Sequence, residues 1–494
     1  MRTIKNLLAG FSNAAWSAIL GLAVLPIYLK YLGIESYGLI GFSVMMQSVM
    51  SLLDMGITPT INREIARFAA KGKLQEAGKL LHTLAVIYWC IGAIIAVSIL
   101  LLAPFISEYW LESKKLPKET ILYAVMLMGL IAGCRFPISI YQGVIIGAQR
   151  ITVSSAISIT ITTISYVGAI AILEYVSKTI YAFFIWQACI GIVYAFSMRR
   201  AAWKIIGRTK KIRFDVNEIR LIWRFSLAMS GVAVSSVILV QIDKLLLSKF
   251  LSLEDFGCYV LAGTITGGLS LLIGPTFQVI YPRLSALVIE KKTEVLLQFY
   301  QNGTRIFCSV LFPATITAIL FSIDFLYMWT GNMDLALKVK PILSLLLIGT
   351  TLNGVMIFPY AIQLASGLVK LSLMITCVLI IIYTPLVIYL TLTQGVIGGS
   401  LAWALLNFIN FIFGTWATHQ KILKGMIVSW VIFDIILPLV ISVVVIIIGW
   451  KAIYIEGSHG INLISGSLLI FFTIVINLRL LAWDSVGLVW ARKT

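Results

Sequence analysis

The chain has 494 residues, 60% of them hydrophobic and only 12% charged, with a formal net charge of +18 and a mean hydropathy of +1.00. Soluble domains carry roughly 25% charged residues, so the composition excludes a soluble enzyme or binding module and predicts an all-α integral membrane protein. The positive charge does not argue for nucleic acid, because the basic residues cluster in alternate short loops, as cytoplasmic loops do.

Apolar runs of about 20 residues, each long enough to cross a hydrocarbon core of roughly 30 Å, recur along the whole chain. Arg2 and Lys5 precede the first run, which reaches Pro26 without a small-residue cleavage pattern and is expected to stay as a helix. Spanning helices are expected near Leu20, Met46, Ala93, Ile131, Thr162 and Ala188, then near Ser236, Leu269, Leu311, Gly354, Ile380 and Asn407, and finally near Val440 and Leu469. With the N-terminus inside, inner segments hold about 27 basic residues and outer ones about 9, which predicts fourteen spans with both termini cytoplasmic. Only Arg135 and Lys244 are left within spans. The expected divisions are a six-helix lobe over 1–198, a basic amphipathic linker over 199–224, a second six-helix lobe over 225–424, and two further helices with a tail over 425–494. The linker mixes nine basic residues with Trp203, Ile205, Ile206, Phe214, Ile219 and Trp223. It reads either as an interfacial helix meeting anionic lipid heads or as a solvated positive-inside loop.

The chain also repeats itself. At an offset of 219, Tyr31-Leu32-Gly33-Ile34-Glu35-Ser36-Tyr37-Gly38 falls on Phe250-Leu251-Ser252-Leu253-Glu254-Asp255-Phe256-Gly257. Phe136-Pro137 matches Phe358-Pro359, Gly147 matches Gly367, and Trp186 matches Trp403. A period this long is a duplicated half-protein, and equal orientation of the halves places a pseudo-twofold axis along the membrane normal.

The run YLGIESYG followed by LLDMGITPTINREIA, and later IDKLLLSKFLSLEDFGCYVLA, resembles the polysaccharide-exporter family, especially its Wzx-type O-antigen flippases, within the multidrug/oligosaccharidyl-lipid/polysaccharide superfamily. The resemblance implies two lobes around a central cavity that alternate between inward-open and outward-open states. It implies as substrate an oligosaccharide on undecaprenyl diphosphate, moved between leaflets of the bacterial inner membrane, with membrane lipids, a polysaccharide polymerase and a chain-length regulator as partners. The nearer rival is a cation-coupled exporter of drugs or metabolites in the same superfamily.

Flipping such a lipid needs a polar route and fixed cations for the diphosphate. Arg135 lies mid-span beside Pro137 with no acid nearby in sequence; its planar fork suits phosphate oxygens, although a structural interhelical pair is the alternative. Lys244 is a second cation for substrate or headgroups, and Asp243 beside it is a coupling group or a gating pair member. Asp54, with Arg63 and Glu64 nine and ten residues on, marks a cytoplasmic gate or simply a helix end at Gly56 and Pro59. Gln142, Gln278 and Asn353, together with Gln47, Gln363, Asn407 and Asn410, are candidates for sugar contacts or for bonds between helices. Asp434 is expected at the interface, as are His82, His419 and His459, which lack metal-ligand spacing. The run from Gly72 to Lys79 has the wrong spacing for a phosphate loop, so no nucleotide, metal or other cofactor is expected, and no catalytic loop marks an enzyme.

Overall fold

The computed structural model describes residues 2–207 and 214–491, and these are almost wholly helical, with no strand formed among them. In lipid this is required, because a helix satisfies its own backbone groups where water cannot. In chain order the spans are α1 (2–32) and α2 (34–50), α3 (Gly78–Phe105), α4 (Lys118–Gly147), α5 (Ile151–Tyr175) and α6 (Ile180–Ile206). They continue with α7 (Val216–Phe250), α8 (Leu253–Ile289), α9 (Thr293–Leu320) and α10 (Met333–Ala365). The last are α11 (369–394) and α12 (396–421), α13 (Ile427–Ile453) and α14 (His459–Ala491).

Among the described residues, eleven helical segments are long and apolar enough to cross a membrane. Two of them each hold two spans, and α7, 35 residues long, completes the expected fourteen. The internal breaks are at Gly33 (φ 75°, ψ 172°) and Gly395 (φ 60°, ψ −140°). These conformations cost glycine little and strain any other residue, so each glycine turns the chain without a loop.

The chain falls into two compact units, Met1–Gly257 and Cys258–Thr494. In the first, α7 packs against the 2–50 segment, the amphipathic helix Ile57–Ala70 and α3. Residues 199–206 of the expected linker run on as the last turns of α6, 216–224 open α7, and 208–213 lie outside the described residues.

The duplication is visible in the local breaks. Pro137, which has no amide hydrogen to donate and crowds the preceding turn, separates the Lys118–Arg135 part of α4 from Ile138–Gly147. The matching Pro359 stands just inside the second part of α10, Ile357–Ala365, which follows Met333–Val355. Each short lower part packs on the continuation of an earlier helix, Ile138–Gly147 on the amphipathic helix Ile57–Ala70 and Ile357–Ala365 on Ser270–Ile289.

The two copies of the repeated motif meet each other. A Cβ on Gly38 would stand 2.5 Å from the Leu253 carbonyl oxygen, and a Cβ on Gly257 would stand 2.4 Å from that of Ile34. Each glycine thus sits against the residue four before its counterpart, and only a missing side chain permits the backbone approach. Glu35, buried, pins the loop before α4. Its carboxylate accepts the Ser113 hydroxyl at 2.7 Å and the backbone N–H groups of Lys114, Lys115 and Leu116 at 3.1–3.3 Å. A carboxylate removed from water needs that many donors.

Candidate functional site

Arg135 ends the upper part of α4, where the proline break stops the helix, and its side chain enters a cavity of about 230 Å³ inside the first unit. Gln47 on α2 accepts from Nη1 at 3.2 Å, and Gln187 on α6 accepts from Nη2 at 2.9 Å. Both amides are oriented by their other bonds. Gln47 Nε2 donates to the Ser43 carbonyl at 3.1 Å, and Gln187 Oε1 also accepts from the Ser165 hydroxyl at 3.0 Å. Ser165 in turn is held by Trp186, whose ring nitrogen donates to its carbonyl at 3.0 Å.

The cavity is also lined by Tyr28, Ser43, Thr162, Tyr166 and Tyr194. No carboxylate stands among its lining residues, and Arg135 Nε is buried without a partner among the described residues. A cation at the centre of a span costs about 2.5–3.5 kcal/mol on insertion scales. Hydrogen bonds to a charged group return roughly 1.5–3 kcal/mol each, so two amides can keep the guanidinium in place while leaving its charge uncancelled. The arrangement holds a fixed positive charge facing a polar space, which is what an anion requires.

The other expected residues do not gather here. Lys244 folds back on α7, where Nζ donates to the Val240 carbonyl at 2.8 Å and stands 3.4 Å from Asp243 Oδ1. Asp243 itself is buried. Gln142 lies half-buried on the lower part of α4. In the second unit Gln278 is exposed on α8, and Asn353 donates to Asn407 at 3.1 Å, tying α10 to α12. Gln363 likewise donates to Thr418 at 2.6 Å. In this structure both of these amides bond across helices.

Asp54 ends a short turn after α2 and acts on the helix that follows. Oδ2 accepts the Thr58 N–H at 3.2 Å, while Oδ1 accepts the hydroxyls of Thr58 and, at 2.5 Å, Tyr88. Arg63 pairs with Glu64 at 2.8 Å, as does Arg67 at 3.2 Å. Asp54→Ala is therefore expected to lower stability by about 1 kcal/mol for the lost cap and by roughly 1–3 kcal/mol more for the stranded Tyr88 hydroxyl. Thermal unfolding in detergent measures this, and an unchanged transition would remove the capping role.

Two expectations are corrected by the second unit. Asp434 is fully buried, and Arg305 of α9 donates to its Oδ1 from Nε at 2.9 Å and Nη2 at 2.8 Å. Arg305 therefore joins Arg135 and Lys244 as a cation inside a span. His419 is also buried, against the rings of Tyr300 and Trp430, and His459 binds the buried Asp324 at 2.8 Å. Burial beside partners on other helices replaces the expected interfacial setting for Asp434 and His419, while His459 stays half-buried at the start of α14. Gln187, which the sequence reading passed over, carried one signal: it follows Trp186, a position kept in the repeat.

With this geometry in view, comparison with known proteins is decisive for the family. The family described as "Polysaccharide biosynthesis protein" matches residues 4–288. The chain belongs to that family. A Shigella flexneri protein named "Putative O-antigen transporter" is 21% identical over 426 residues, covering 84% of this chain and 97% of that protein. Among solved structures, the lipid II flippase MurJ in an inward closed conformation superposes with a TM-score of 0.70 at 14% identity, covering 96% of this chain and 99% of the other. An inward-facing multidrug-resistance MATE family transporter gives 0.67 at 15% identity, covering 83% and 96%. The chain thus shares the fold of multi-pass membrane transporters.

Proposed function

We propose that this protein is a flippase of the bacterial inner membrane that carries an undecaprenyl-diphosphate-linked oligosaccharide from the inner to the outer leaflet. The observation that carries the reading is Arg135, a half-buried guanidinium held by neutral amides in a cavity with no lining carboxylate. Its planar fork can give parallel hydrogen bonds to phosphate oxygens. A fixed cation repels the cationic compounds that a multidrug exporter would carry, which weighs against that alternative. Membership of the polysaccharide biosynthesis family and the name of the Shigella relative support the same direction.

Energetically, an anion leaving a negative cytoplasm gains about 2.3 kcal/mol per charge for each 100 mV. A diphosphate with about two charges is thus helped outward by the membrane potential, provided the termini face inward as the charge distribution predicts. Coupling through the buried Asp243, gating at Asp54 and Arg63, and sugar contacts from Gln142, Gln278 or Asn353 belong to the same proposal. Reconstitution into vesicles with labelled lipid-linked oligosaccharide and, separately, a cationic dye tests it. Movement of the lipid is expected; movement of the dye alone would reverse the assignment.

A further inference from the structure

The Arg135 cavity holds more hydrogen-bond donors than the protein itself engages. Tyr28 on α1, Tyr166 on α5 and Tyr194 on α6 line the same space as Arg135. Tyr166 is close enough to act electrostatically on both Arg135 and Tyr28, and Tyr194 acts on Arg135. Two buried polar atoms of this group have no partner among the described residues: Tyr28 Oη and Arg135 Nε. Tyr28 is only 4% exposed. Its ring is fixed from α6, where Phe183 meets it edge-on at 5.2 Å between centroids and Phe184 backs Phe183 at 5.5 Å.

A buried hydroxyl or guanidinium N–H left unbonded costs free energy, and native proteins leave few of them. What the two free groups share points to a ligand. Arg135 Nε can only donate, and the phenol of Tyr28 has a hydrogen to donate. Arg135 Nη1 and Nη2 each give a hydrogen to an amide and each keep a second. The complement is a group that only accepts, carries negative charge and presents several oxygens, as a phosphoryl group does. Size agrees. The cavity, about 230 Å³, is smaller than the roughly 300–1,000 Å³ of pockets that enclose drug-sized ligands, so it suits a headgroup and not an oligosaccharide.

We propose, on the flippase reading of this same site, that Tyr28 is a specificity-determining residue: its hydroxyl and Arg135 Nε are held free for the phosphoryl oxygens of the cargo, while the glycan stays outside the cavity. The two residues do different work. Arg135 supplies charge, which any anion satisfies. Tyr28 supplies a neutral donor from a second helix and so fixes where a further oxygen must lie. Gln47 and Gln187 position the guanidinium.

Thermal unfolding of the full-length protein in a neutral detergent, with and without inorganic pyrophosphate, tests this. Without ligand, Tyr28→Phe should unfold at the wild-type temperature or above, since it removes a buried oxygen that bonds to nothing in the protein. Pyrophosphate should bind this variant about tenfold more weakly, read from the concentration dependence of the stabilising shift, and should bind Arg135→Ala more weakly still. Raffinose, a neutral trisaccharide, should neither stabilise the protein nor compete. Wild type unaffected by pyrophosphate, a lower unfolding temperature in ligand-free Tyr28→Phe, pyrophosphate binding by that variant equal to wild type, or competition by raffinose would each overturn the assignment. Lipids added to the same micelles distinguish the source of the phosphoryl group: undecaprenyl diphosphate should displace labelled pyrophosphate and phosphatidylglycerol should not. Displacement by phosphatidylglycerol would support Tyr28 as a phosphoryl donor but assign the cavity to bulk lipid, against the flippase reading. Normal flipping by Tyr28→Phe together with unaltered pyrophosphate binding would leave that reading intact and remove Tyr28 from the site.

Discussion

Arg135→Ala is expected to lower flipping of the lipid-linked oligosaccharide by roughly 10- to 100-fold, the equivalent of losing one charge-assisted bond worth about 1.5–3 kcal/mol. Insertion and folding should survive. The substitution removes the one group whose burial is costly in that cavity, while Gln47 keeps its bond to Ser43 and Gln187 its bond from Ser165. Arg135→Lys should fall between the two, because an ammonium restores the charge but not the planar pair of donors. The measurement is initial transport rate per folded protein, with detergent-extracted monodisperse protein as the control for folding. Normal transport by Arg135→Ala would remove the residue from the substrate route. A loss shared equally by uncharged lipid cargo would show that Arg135 shapes the bundle and does not hold phosphate.

The fold was legible because its signals are local. An apolar run of spanning length is visible in any window, and the fourteen expected centres all lie within the described helices. Pro137 and Pro359 mark their breaks by themselves. The duplication was legible too, and the structure adds a physical reason for its most regular positions: Gly38 and Gly257 touch, and Glu35 anchors a loop. Arg135 stood out because an isolated cation in an apolar run is conspicuous. Its partners did not, since Gln47 and Gln187 are 88 and 52 residues away along the chain and look like any other intramembrane amide. The same limit hid the pair formed by Arg305 and Asp434, 129 residues apart. Each taken alone resembles a charge near a membrane surface, and only packing of α9 on α13 turns the two into a buried ion pair.

That ion pair gives the largest expected effect on stability. Arg305→Met should destabilise the protein by about 3–5 kcal/mol, because it leaves Asp434 charged and uncompensated in the interior. The double substitution Arg305→Met with Asp434→Leu should recover most of this loss, or exceed wild type by up to about 4 kcal/mol, since an apolar pair of similar volume avoids desolvating two ions. Unfolding in detergent, followed by heat or by limited proteolysis of α13, measures both; equal losses in the single and double variants would mean that the two residues do not act as a pair.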